Sequence, residues 1–109
     1  MRLAAPLAVL GLALCLTGSA TGASPHPKTH TVTIDEMRFQ PDVLTVSPGD
    51  TVVWVNKDLV PHTATSGAGG FDSKELPTGK SWSYKATAKG DFAYVCTIHP
   101  TMRATLKVH

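Results

Sequence analysis

From residue 30 onward the chain reads as short runs of β-forming residues broken by turns. Residues 30–34 are rich in Thr, Val and Ile, and 43–46 form a second such run. Ser47-Pro48-Gly49-Asp50 follows, with proline and glycine where a tight turn wants them. Residues 51–56, Thr-Val-Val-Trp-Val-Asn, are the most apolar run and predict a central strand. Further strands are expected over 62–66, 81–86, 91–97 and 102–108. The intervening segment 67–80 is rich in Gly, Pro and charge and reads as a loop outside the core. No stretch sustains a helical period, and a turn of helix in 34–40 or 71–76 is the most the pattern allows. About seven short strands with regular turns predict an all-β domain, a sandwich or a barrel. In 91–97 the alternation sends Phe92, Tyr94 and Cys96 inward and Ala93, Val95 and Thr97 outward.

The first 23 residues have a different character. Arg2 precedes an apolar run over 3–16, which gives way to Thr17-Gly18-Ser19-Ala20. A basic start, a short apolar stretch and a small-residue exit predict a secretory signal peptide over 1–23, cut after Ala20 or Ala23. The run is shorter than the roughly 20 apolar residues a membrane-spanning helix needs, so no stable membrane insertion is expected. Leu14 stands before Cys15 where a lipoprotein signal has a small residue, which leaves Cys15 within the apolar part of the leader. Residues 24–29, with Pro25 and Pro27, read as a flexible lead-in to a domain over 30–109. The product is expected to be exported, to a periplasmic or other extracytoplasmic space.

Composition narrows the function. Loss of Arg2 with the leader leaves nine Lys and Arg against eight Asp and Glu, a net charge near +1, with no run of five or more like charges. That balance gives no electrostatic footprint for nucleic acid or an anionic membrane. The same cut leaves one cysteine, Cys96, in a compartment where cysteines normally pair. Cys96 is therefore a buried thiol, an intermolecular link or a ligand.

The segment around it favours the last of these. Cys96-Thr97-Ile98-His99-Pro100-Thr101-Met102 sets a thiolate, an imidazole and a thioether three residues apart on a tight loop between two strands. A trigonal His₂Cys set with a weak axial Met suits copper in electron transfer. His62, which opens a strand just after Val60-Pro61, is the candidate second histidine. Pro100 stiffens the loop and removes one backbone donor. Singly, each donor has an ordinary explanation: Cys and Met as core packing, His as a surface group. Their joint spacing, with an export signal and no disulfide partner, outweighs those explanations. Thr78-Gly79-Lys80-Ser81 looks like the end of a phosphate-binding loop, but Lys74 stands where its first glycine belongs and a strand follows. His26 and His30 are four apart, yet Pro25 and Pro27 exclude the helix that would pair them.

The run from Tyr94 to Met102 resembles the copper loop of the cupredoxins. It is most similar to the plastocyanin and amicyanin branch, and its short Cys-x₂-His-Pro-x-Met form is closest to amicyanin. The resemblance extends through Met37-Arg38-Phe39-Gln40-Pro41, Leu44-Thr45-Val46, Gly49-Asp50-Thr51-Val52, Trp54-Val55-Asn56 and Pro61-His62, and so covers about 30–108. It implies a Greek-key β-sandwich of seven to eight strands with a single type 1 copper ion at one end. His62, Cys96 and His99 would be the strong ligands and Met102 the weak axial one. Thr63 departs from the family, which commonly has Asn there to tie this strand to the cysteine loop. Thr63, Thr97 and Pro100 are accordingly expected around the ligands.

The function expected is that of a monomeric one-electron carrier cycling between Cu(I) and Cu(II) and meeting a redox donor and a redox acceptor transiently. Four donors leave no open position for a substrate, so an enzyme is not expected. The alternative is copper trafficking or storage, which favours clusters of exposed Met and His, whereas only Met37 and Met102 follow the leader. Zinc also accepts Cys and His ligands, but has no use for the thioether of Met102.

Overall fold

The computed structural model describes Ala4, residues 25–67 and residues 70–109, so the expected signal peptide, Ala4 apart, and both candidate cleavage sites lie outside the described residues. Among them the chain forms seven strands: β1 (Thr29–Asp35), β2 (Arg38–Gln40), β3 (Val43–Val46), β4 (Thr51–Asn56), β5 (Ser81–Lys85), β6 (Gly90–Val95) and β7 (Arg103–Val108). One sheet has the order β2-β1-β4-β5 and the other β3-β7-β6. β1 runs parallel to β4 and β3 parallel to β7, while the remaining neighbours are antiparallel.

Alternation explains the two layers. In β4 every second residue is buried, and Val52, Trp54 and Asn56 face inward. β7 answers from the opposite sheet with Ala104, Leu106 and Val108. The core holds Val32, Ile34, Val52 and Trp54 from one sheet and Val46, Tyr94, Leu106 and Val108 from the other, which settles the architecture as a sandwich. Trp54 and Tyr94 meet across the layers edge to face, with centroids 5.6 Å apart, and the Trp54 indole Nε1 donates to the Tyr94 hydroxyl at 3.2 Å. The inward face expected for β6 holds, since Tyr94 and Cys96 are buried while Ala93 and Thr97 are exposed.

Three expectations need correction. The segment 67–80 is not outside the core: Phe71 and Leu76 are buried, and Phe71 packs against Trp54, Tyr84 and Tyr94. Residues 62–66 form isolated bridges rather than a strand, with His62 opposite Leu76 and Thr65 opposite Asp72 and Val95. Neither 34–40 nor 71–76 contains helix. The first is a hairpin into β2, which the alternation did not reveal because three residues are too few to show a period.

Two turns orient the ends. Pro48 and Gly49 form a tight turn with Gly49 at φ 96°, closed by the Asp50 amide donating to Ser47 O at 3.0 Å. Between β1 and β2 both central residues, Glu36 (φ 53°) and Met37 (φ 58°), are left-handed, the conformation of a two-residue hairpin turn. Side chains pay for that conformation where glycine would not, so something must hold this turn. That group is found at the metal pole.

Candidate metal centre

The C-terminal ends of β1, β4 and β6 and the start of β7 all lie at one pole of the sandwich. Cys96 follows β6 directly, Met102 immediately precedes β7, and 97–101 close the gap. Three backbone hydrogen bonds fold that gap tightly: His99 N to Cys96 O (3.1 Å), Met102 N to His99 O (2.9 Å) and Cys96 N to Met102 O (3.1 Å). The β6–β7 ladder thus continues into the loop and fixes where the cysteine sits.

His62 arrives on the bridge-forming segment between β4 and β5. Its backbone pairs with Leu76 in both directions, at 3.1 and 2.7 Å. Its ring is fully buried, and the His62 and His99 ring centroids are 5.0 Å apart. The Cys96 Sγ lies 3.7 Å from His62 Nδ1 and 3.7 Å from His99 Nδ1. The three donor atoms all lie within 4.8 Å of one another. These separations fit a shared ion: metal–nitrogen and metal–sulfur bonds of about 2.0 and 2.3 Å opened to about 120° span an edge of about 3.7 Å. Direct N–H···S contacts would not need both nitrogens at that same distance. Cys96 and His62 are fully buried, whereas His99 is half-exposed. Cys96 is a free thiol.

The residues expected around the donors are there. The Thr63 amide donates to Cys96 Sγ at 3.3 Å. The Thr97 amide donates to Thr63 Oγ1 at 2.9 Å, and the two hydroxyls lie 3.1 Å apart. Thr63 therefore ties the segment 62–66 to the cysteine loop, the task that the cupredoxin resemblance would give to Asn. Pro100 lies exposed at the turn, and its carbonyl accepts from Arg103 Nε at 3.3 Å. Met102 is buried in the same loop. His26 and His30 are not brought to this pole: His30 Nε2 lies 2.9 Å from Asp50, and His26 is exposed in the lead-in.

Two residues were missed by sequence reasoning. Asp58 Oδ2 lies 2.7 Å from His62 Nε2, on the face of the ring opposite the donor cluster. The same carboxylate accepts the Glu36 amide at Oδ1 and the Met37 amide at Oδ2, each at 2.9 Å. This is the group that holds the left-handed turn. Burial works to raise the Asp58 carboxyl, but the Met37 amide, the His62 ring and the Glu36 amide outweigh it and hold it below the ordinary carboxylate range. Asn56, fully buried, donates from Nδ2 to Val60 O and Leu76 O and accepts the Asp58 amide, all at 2.9 Å. An acid four residues before the candidate histidine His62 was the only available signal for Asp58. For Asn56 it was a polar residue on the inward face of an apolar strand.

Known proteins share this architecture. The model of the cupredoxin-like domain matches residues 7–108. Amicyanin-alpha of Methylorubrum extorquens is 31% identical over 116 residues, covering 99% of this chain and 97% of its own. The methylamine utilization protein MauL of Methylophilus methylotrophus is 32% identical over 112 residues, covering 94% of this chain and 64% of its own. A solved structure of a mutant amicyanin in the Cu(I) state superposes with a TM-score of 0.71 at 29% identity, over 74% of this chain and 82% of that one. A purple cupredoxin from Nitrosopumilus maritimus gives 0.66 at 26% identity, over 73% and 99%. With the sandwich, the buried thiol and the paired imidazoles at its pole, the chain belongs to the cupredoxin-like family, whose cofactor is the copper of a type 1 site.

Proposed function

We propose that His62, Cys96, His99 and Met102 hold one copper ion, and that the protein is an exported, monomeric one-electron carrier rather than an enzyme. The observation that carries this reading is the convergence of two imidazole nitrogens on one buried thiol, each at 3.7 Å. Copper bound there supplies a Cu(I)/Cu(II) couple; the protein supplies its surroundings. The thiolate and thioether favour the reduced ion, while the imidazoles serve both states. Hydrogen bonds from Thr63 N to Cys96 Sγ and from Thr97 N to Thr63 Oγ1 limit how far the thiol can move when the charge changes. Little rearrangement then accompanies electron gain or loss.

His99 is the half-exposed member of the set and gives the electron its way out. The residues just before the two histidines are apolar and exposed: Leu59 (92%), Val60 (40%) and Ile98 (47%). Such a surface suits brief contact with a redox donor and then an acceptor. Among the described residues, no helix is long and apolar enough to cross a membrane. Amicyanin-alpha and MauL as relatives support the carrier reading over an enzymatic one.

Protein-film voltammetry of the copper-loaded protein tests the reading. A reversible one-electron wave, with rapid electron exchange between mixed Cu(I) and Cu(II) samples, is expected. No reversible wave, together with ready loss of copper to a competing chelator, would favour trafficking or storage instead.

A further inference from the structure

Asp58 belongs to no expected ligand set, yet it makes the shortest side-chain hydrogen bond at the metal pole. His62 has two ring nitrogens, and each faces a different world. Nδ1 points to the Cys96 thiol, and Nε2 lies 2.7 Å from the Asp58 carboxylate. A carboxylate only accepts, so the proton between them sits on Nε2 and the lone pair is left at Nδ1. The 2.7 Å separation is that of a charge-assisted bond.

The carboxylate is itself immobilised. Oδ1 takes the Glu36 amide, and Oδ2 takes the Met37 amide beside the imidazole. Those amides converge only because Glu36 and Met37 both adopt left-handed φ, a conformation costly for non-glycine residues. From its other side Asp58 is held through its amide by Asn56, whose side chain also grips Val60 and Leu76. Leu76 in turn pairs with the His62 backbone. Strain in the hairpin turn is thus balanced by a network that ends at a ligand.

We propose that Asp58 is a positioning residue of the metal centre: anchored by the β1–β2 turn, it fixes the His62 ring and places a permanent negative charge behind it. The proposal rests on the copper reading above. A fixed anion attracts the doubly charged oxidised ion more than the singly charged reduced ion, so it lowers the reduction potential. The β1–β2 turn then becomes part of the redox machinery through Asp58, although neither Glu36 nor Met37 belongs to the expected ligand set. Outer partners of ligand histidines commonly change metal affinity by about 10–100-fold when removed.

Asp58→Asn tests the charge with little change of shape. Its carbonyl oxygen can keep the bonds to Met37 and His62, while the contact with the Glu36 amide is lost. The expected result on the copper-loaded protein is a retained thiolate band, with Cu(II) affinity falling about tenfold relative to Cu(I). That ratio reads as a midpoint about 59 mV higher in spectroelectrochemistry. Asp58→Glu should return the midpoint toward wild type. An unchanged midpoint in Asp58→Asn with the band intact overturns the proposal. If Asp58→Asn fails to fold, the wild-type Cu(I) protein decides by nuclear magnetic resonance. A downfield, exchange-protected Nε2 proton on His62 is expected, and its absence overturns the proposal. Loss of the intense band from wild type itself would instead refute the copper reading, so the two failures are distinguishable.

Discussion

Replacing Thr63 with Val removes one hydroxyl and almost no volume, which isolates the polar contribution of the residue that stands where the cupredoxin resemblance leads one to expect Asn. That hydroxyl accepts the Thr97 amide at 2.9 Å and the Thr65 hydroxyl at 3.1 Å, and it lies 3.1 Å from the Thr97 hydroxyl. Thr65 keeps a second partner in Asp72, and Thr97 is exposed enough for its hydroxyl to find water. The dominant loss is therefore the Thr97 amide, shielded against a residue that is only 6% exposed. A hydrogen bond contributes about 0.5–1.5 kcal/mol net, and an orphaned donor costs about 1–3 kcal/mol. Together these predict about 2 kcal/mol of destabilisation for Thr63→Val, and less than about 1 kcal/mol for Thr63→Ser. For a domain of this size the first corresponds to a fall in Tm of roughly 8–16 °C. Guanidinium unfolding of the metal-free protein, followed by the fluorescence of the buried Trp54, measures the difference directly. A Thr63→Val midpoint equivalent to less than about 0.5 kcal/mol of loss, at an unchanged slope, would refute the claim that this hydroxyl ties the segment 62–66 to the cysteine loop.

Two further predictions concern pH. The Lys28 amide, the His30 ring and the Ser47 amide hold the Asp50 carboxyl at about 2, against an ordinary 3.8. A depressed carboxyl stabilises the fold above its unfolded pKa and loses that contribution as protons return. Wild-type stability should therefore fall between pH 4 and pH 2, and Asp50→Asn should be less stable at pH 7 and fall less steeply across that window; equal slopes in the two proteins would contradict this. At the other extreme, burial pushes the Tyr94 hydroxyl from 10.0 up to about 12, against the opposing effect of its hydrogen bond from Trp54. A raised pKa gives stability that is complete below pH 10 and lost as pH climbs toward 12, about 2 kcal/mol over the window. Denaturation series from pH 9 to 12 should show that loss in wild type and not in Tyr94→Phe.

Where the chain announces its structure, it does so through local signals that the tertiary fold does not override. Thr51–Asn56 shows strict alternation around Trp54, and Ser47-Pro48-Gly49-Asp50 carries its turn in its own residues. The candidate ligand loop was legible because Cys96, His99 and Met102 lie three residues apart on one short segment, and such spacing is visible in one dimension. His62 was reached less directly, from its place just after Val60-Pro61 and the need for a second imidazole, since nothing nearby in sequence joins it to Cys96. What stayed hidden depends on distant partners. β2 has three residues and follows a left-handed turn built from Glu36 and Met37, which carry no Gly or Asn signal. Phe71 and Leu76 sit among Gly, Pro and charge, and their burial comes from Trp54, Tyr84 and the His62 pairing rather than from a period of their own. Asp58 looks like an ordinary loop acid until the fold brings two turn amides and the His62 ring to it.

The central claim is that Cys96 is a copper ligand within a His₂Cys set. The most direct test is the visible absorption of the protein after one equivalent of Cu(II), compared with Cys96→Ser. The structure predicts an intense thiolate band that ascorbate bleaches and the substitution abolishes. A faint band, the same in both proteins, would remove Cys96 from the site and the electron-carrier function with it.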